Sequence, residues 1–144
     1  MSLKGKVQLH GKTDVGSVRE HNEDAIGCDE DIGLAVLADG MGGHRGGEMA
    51  SAITVSTVID HITERAKDIN SGDVDEDTGY SAESLAVFDA VTQANTNVHD
   101  SSEANAQYRG MGTTVVVLMF YDNRFTVAHV GDSRLYRLRD GTLE

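Results

Sequence analysis

The chain has 144 residues, enough for one hydrophobic core, and its 39% apolar content is ordinary for a globular protein. Lys and Arg number 12 against 24 Asp and Glu, a net charge of −12 that excludes a generic nucleic-acid surface, because phosphate neutralisation needs basic clusters. No apolar run approaches the roughly 20 residues of a bilayer span, and the single cysteine, Cys28, excludes an intrachain disulfide or a Cys-rich zinc site and suits a reducing cytoplasm.

Val7 to Leu9, Ala25 to Cys28 and Gly33 to Ala38 read as short strands, with Asp29-Glu30-Asp31 a polar turn between the second and third. Residues 36–47 then run from an apolar stretch into a carboxylate, Asp39, and five glycines within eight residues. Glycine lets the backbone approach a ligand closely, so Asp39 and the Gly40 carbonyl can face one cation together. Hard cations such as Mg²⁺ and Mn²⁺ favour those oxygens. The competing reading is a flexible turn in which Asp39 caps a helix beginning near Gly46.

Apolar side chains at Met49, Ala52, Ile53, Ile59, Ile62, Ala66 and Ile69 predict an amphipathic helix over 46–69. In the acidic stretch that follows, Asp73, Asp75 and Asp77 are spaced like the start of a calcium loop. Thr78 and Ser84 stand where that motif needs Gly and Glu, so Asn70 to Gly79 reads as a solvated loop. Leu85, Phe88, Val91, Ala94 and Val98 predict a second helix from Ser81 to about Glu103. Thr113 to Tyr121, Arg124 to Val130 and Ser133 to Leu138 are strand-like runs separated by Asp122-Asn123 and Gly131-Asp132, which predicts an antiparallel meander. Asp140-Gly141 signals one more turn, with only three residues after it. No internal repeat or linker divides the chain, so residues 1–144 read as one domain or part of one.

Four short segments carry chemistry in a fixed order: Arg19-x-x-Asn22-Glu23-Asp24, Ala38-Asp39-Gly40-Met41-Gly42-Gly43-His44, Gly110-Met111-Gly112-Thr113-Thr114 and Gly131-Asp132-Ser133-Arg134. With them the chain closely resembles the metal-dependent serine/threonine phosphatases of the type 2C class, in their bacterial form, over residues 13 to about 141. The resemblance implies an α+β fold, an antiparallel β-sandwich flanked by helices in α-β-β-α layers. The family's later acidic motifs are not found here, so the expectation is the N-terminal portion of a single catalytic domain, incomplete at its C-terminus.

The implied reaction is hydrolysis of phosphoserine or phosphothreonine in proteins by water activated between two or more Mn²⁺ or Mg²⁺ ions. On this resemblance Asp39 bridges the metals and the Gly40 carbonyl holds one of them. Asp132 resembles the ligand of an extra metal, its plainer role being a turn carboxylate. Glu23 and Asp24 are implied to orient the waters around the metals. Arg19 matches the phosphate-binding arginine, against a surface pairing with Glu20 or Glu23. Met41 stands where some relatives carry a proton-donating histidine, which leaves the general acid unassigned among His21, His44, His129 and water. Phosphorylated Ser/Thr proteins are the implied substrates, and a cognate Ser/Thr kinase is an implied partner. Self-association through uncovered sheet edges is a further expectation. Two other readings stand beside this one: a noncatalytic regulatory or binding module of the same fold, and a different metal-dependent phosphohydrolase sharing these short motifs.

Overall fold

Leu34, Val36 and Ala38 are buried and alternate with the more exposed Ala35, Leu37 and Asp39, so strand periodicity drives one face inward along this run. In the computed structural model, which describes residues 3–70 and 72–144, this run forms the centre of an antiparallel sheet. Its strands are β1 (Asp24–Asp29), β2 (Leu34–Met41), β3 (Gly112–Thr113), β4 (Val115–Tyr121) and β5 (Arg124–Val130), hydrogen-bonded in the order β1-β2-β4-β5 with β3 on the end of β2. A separate two-stranded sheet pairs β6 (Leu138–Arg139) with β7 (Thr142–Leu143). Helices α1 (Gly46–Arg65) and α2 (Ala82–Ala104) cover one face, where Leu34, Val36, Val58, Ile62, Val87 and Val117 form the core. The fold is therefore α+β with antiparallel sheets, as expected. No helix among the described residues is long and apolar enough to cross a membrane.

Asp122 and Asn123 have φ of 43° and 59°, and Asp140 and Gly141 have φ of 50° and 78°. Such left-handed pairs make the tight turns whose twist matches that of the strands they join. At the Asp122 end of the sheet, Ser81 caps α2 by accepting from the Ser84 amide at 3.1 Å. Its hydroxyl also lies 2.9 Å from Tyr121 Oη, which in turn lies 2.8 Å from Thr126 Oγ1. The start of α2 is thereby pinned to the β4–β5 hairpin.

Four expectations need correction. Val7 to Leu9 is not a strand: Val7 makes only an isolated bridge to Lys4, and the Leu9 amide donates to Glu30 Oε1 at 3.0 Å. Of the run Ser133 to Leu138, Ser133 to Tyr136 likewise joins no ladder, while Arg137 exchanges backbone hydrogen bonds with Glu144 beside the β6–β7 pair that contains Leu138; the meander stops at β5 and Gly131-Asp132 is not a hairpin turn. Helix α1 ends at Arg65 rather than residue 69, because Lys67 and Asp68 donate to carbonyls three residues back and tighten the chain into turns. Finally, the buried line of α1 is Gly47, Ala50, Ser51, Thr54, Val55, Val58 and Ile62, while Met49 is 37% exposed; on α2, Phe88 is 66% exposed. Small residues let α1 lie close to the sheet and to α2, and close packing outweighs the larger side chains in choosing the face.

The closest approach is between β2 and the first turn of α1. A Cβ on Gly40 would fall 2.0 Å from the Gly47 carbonyl oxygen and 2.7 Å from that of Glu23, whereas one on Gly43 would meet nothing within 4 Å. Gly40→Ala is expected to destabilise the chain by about 1–3 kcal/mol through overpacking, and Gly43→Ala to stay within about 0.5 kcal/mol of the parent. Urea denaturation of the two variants checks the contrast.

Candidate metal centre

Pairing of β1 with β2 places Asp24 directly opposite Asp39. Like charges in that position destabilise a sheet, and either a proton or a cation between them would relieve the repulsion. The Asp24 carboxyl is held above the usual carboxylate range, first by desolvation, then by the charge of Asp39 and a hydrogen bond with it, and least by Glu23. Asn22 holds the start of β1: its Oδ1 accepts from the Asp24 amide at 3.0 Å while its Nδ2 donates to Thr13 Oγ1 at 2.7 Å. The Gly40 amide donates to the Glu23 carbonyl at 3.1 Å, and the Glu23 side chain lies over Gly47 so tightly that a Cβ there would come within 2.8 Å of its carboxyl carbon.

Around this pair opens a cavity of about 530 Å³. Of the predicted set, Arg19, Glu23, Asp24, Asp39 and Gly40 all line it, together with Asp14 and His21. Asp132 does not line it. It sits just beyond β5, and its neighbour Ser133 connects to Asp39 through Thr114: the Asp39 amide donates to Thr114 Oγ1 at 3.1 Å, and that oxygen lies 2.6 Å from Ser133 Oγ. His44 and His129 are outside the cavity lining; His44, with φ of 53°, belongs with Arg45 to the left-handed turn that leads into α1. Of the three histidines left open by the sequence, only His21 borders the cavity.

Two opposed carboxylates, a third beside them and a backbone carbonyl form a hard-oxygen donor set, the chemistry that suits Mg²⁺ or Mn²⁺. Among the described residues no three Asp, Glu, His or Cys side chains converge tightly enough to make a finished cation cage. The donors therefore fit such ions, and they fit loosely. Asp14, Thr114 and Ser133 were given no role from sequence, although Thr114 and Ser133 fall within two of the four motifs. Asp14 announces itself only through an Asx turn, its Oδ1 accepting from the Gly16 amide at 2.7 Å, and the paired threonines read as ordinary strand residues.

The family model described as Protein phosphatase 2C matches residues 16–144. The chain belongs to this family. It is 38% identical over 133 residues to the serine/threonine protein phosphatase PstP of Mycobacterium tuberculosis, covering 92% of this chain and 23% of that protein. It is 33% identical over 135 residues to the serine/threonine phosphatase Stp of Listeria welshimeri, covering 92% and 50%. Among solved structures, that of Mycobacterium tuberculosis PstP/Ppp superposes with a TM-score of 0.74 at 36% identity, over 92% of this chain and 50% of that one. The PstP catalytic domain in complex with 2 manganese ions gives 0.73 at 36% identity, over 92% and 51%. This protein phosphatase 2C chain thus spans between a quarter and a half of the length of these relatives.

The opposed carboxylates make the metal-free stability of this phosphatase 2C chain depend on pH. Folding raises the Asp24 pKa, so the stabilisation from its proton is complete below the unfolded value of about 3.8 and is lost as pH rises through the higher folded value. Asp24→Asn is expected to be more stable than the parent at pH 7 in chelator, by no more than about 1 kcal/mol. Melting curves from pH 7 to 3.5 check this, with the advantage of Asp24→Asn shrinking on acidification.

Proposed function

We propose that these residues carry part of the catalytic centre of a metal-dependent phosphatase acting on phosphoserine and phosphothreonine in proteins. The observation that carries the proposal is the face-to-face placement of Asp24 and Asp39 beside Gly40, with Arg19 lining the same cavity. That the relatives are named serine/threonine phosphatases and that one solved neighbour is a complex with 2 manganese ions support it.

Divalent Mn²⁺ or Mg²⁺, when bound, would supply an activated water and neutralise charge on the phosphoryl oxygens. Asp39 and the Gly40 carbonyl would hold the ions, Asp132 would serve an outer one, and Glu23 and Asp24 would orient water around them. The Arg19 guanidinium would grip the nonbridging phosphate oxygens with its planar fork. Of the three histidines left open, His21 is the one that borders the cavity and would be the side-chain candidate to protonate a leaving alkoxide, with water as the alternative. A cognate Ser/Thr kinase as partner, a cytoplasmic setting and self-association through the β1 and β5 edges belong to the same proposal. The sparse donor set favours, for the 144 residues by themselves, a module that binds ions and phosphate with little turnover.

Asp39→Asn is expected to weaken Mn²⁺ binding more than Asp132→Asn does, since a bridging carboxylate serves two ions; titration calorimetry decides, and equal losses would remove Asp39 from the centre. Arg19→Ala is expected to weaken binding of a phosphothreonine peptide by about tenfold or more, the worth of a charge-assisted hydrogen bond, with Mn²⁺ affinity unchanged. The 144-residue chain itself is expected to bind Mn²⁺ weakly and to hydrolyse an aryl phosphate negligibly, because an error on the order of 1 Å in a reacting group costs about a hundredfold in rate. Robust Mn²⁺-dependent turnover would refute the ligand assignment.

A further inference from the structure

At Thr114 a regular antiparallel ladder gives way to a side chain. Gly40 pairs with Thr113 and Leu37 with Val116, a register that sets Thr114 opposite Asp39. The Thr114 amide donates to the Asp39 carbonyl at 2.9 Å, as one half of a hydrogen-bonded strand pair. The reciprocal bond would run from the Asp39 amide to the Thr114 carbonyl. Instead the Asp39 amide donates to the Thr114 hydroxyl, and the Thr114 carbonyl accepts from the Thr113 hydroxyl at 2.8 Å. The same Thr114 hydroxyl lies 2.6 Å from Ser133 Oγ, and Ser133 directly follows Asp132. On the other side of Asp132, Gly131 has φ of 97° and sits so near that a Cβ there would fall 2.8 Å from Thr114 Cγ2. One side chain therefore touches the backbone of Asp39 and both chain neighbours of Asp132.

We infer that Thr114 is a positioning residue that fixes Asp132 relative to Asp39, its hydroxyl acting as the hydrogen-bond junction and its methyl as the steric stop. The inference rests on the reading of Asp39 and Asp132 as cation ligands and adds the device that sets their separation. Asp39 lies on β2 and Asp132 follows β5, with β4 between those strands in the sheet. Exposed turns such as Gly131-Asp132-Ser133 drift unless something ties them down. Thr114, the residue between β3 and β4, supplies that tie from the entry to the strand lying between the two ligands, and it acts through their backbones rather than by ligation.

Thr114→Val keeps the methyl and the shape but leaves the Asp39 amide without its acceptor, whereas Thr114→Ser keeps the oxygen. Mn²⁺ affinity of the 144-residue chain, read by titration calorimetry, is expected to fall about 10- to 100-fold in Thr114→Val, the range for residues that orient metal ligands, and to recover most of that loss in Thr114→Ser. In an Asp132→Asn background the Thr114→Val loss is expected to be several-fold smaller, because the ligand it aims is no longer an anion. A merely structural threonine would give additive losses, and additivity overturns the inference. Should Thr114→Val fail to fold, Ser133→Ala removes the same hydroxyl contact from the exposed side: a loss less than additive with Asp132→Asn supports the inference, and unchanged affinity overturns it. Mn²⁺ binding that responds to Asp39→Asn but not to the Thr114 or Ser133 variants sinks this inference alone, while binding indifferent to Asp39→Asn sinks the metal reading and the inference together.

Discussion

Register between β2 and its two neighbours is the constraint on which the rest of the structure depends. A slip of one residue against β1 would move Asp24 away from Asp39 and turn the apolar side of β2 outward, since side chains alternate faces along a strand. A slip against β4 would part Asp39 from Thr114. The register is locked at one end by the close approach of Gly40 to Gly47, which admits no side chain, and by the Gly40 amide on the Glu23 carbonyl. Two acidic groups can be held against their mutual repulsion only because burial of Leu34, Val36 and Val117 on the other face supplies far more stabilisation than one opposed pair removes.

Much of the fold was legible because alternation and hairpin chemistry are local. The strands around Ala25 to Cys28 and Gly33 to Ala38 announce themselves as short apolar runs bounded by polar turn residues, those at Thr113 to Tyr121 and Arg124 to Val130 as β-branched and aromatic runs, and Asp122-Asn123 satisfies the left-handed backbone its hairpin needs. What failed was decided by partners rather than by propensity. Ser133 to Tyr136 is strand-like in composition, yet composition makes a strand only where another chain segment offers a ladder. The predicted stripe of α1 holds at Ile62, with Ile53 and Ile59 packed against the core, but it omits Gly47, Ser51 and Thr54, which bury through proximity, and hydrophobicity does not measure proximity.

The candidate site shows the same division. Arg19, Glu23, Asp24, Asp39 and Gly40 were found from motifs and do share one cavity, but that Asp24 faces Asp39 is a property of register that no single motif states. Asp39 was expected at the exit of a strand; it lies inside β2, because β3 pairs with the residues beyond it. Thr114 and Ser133 stood inside two of the motifs but were given no role, since a hydroxyl that replaces a backbone acceptor leaves no compositional trace.

The hydroxyl cluster formed by Ser81, Tyr121 and Thr126 lies at the Asp122 end of the sheet, away from Asp24 and Asp39. Its bonds are made within the protein itself and need no bound ion, so that end is expected to keep its order with or without ions. Any rearrangement on ion uptake is then expected at the acidic end, like the free end of a clamped beam. Slow amide exchange near Tyr121 and faster exchange near Asp39 in the ion-free protein would be the signature of that gradient, and uptake of ions would flatten it.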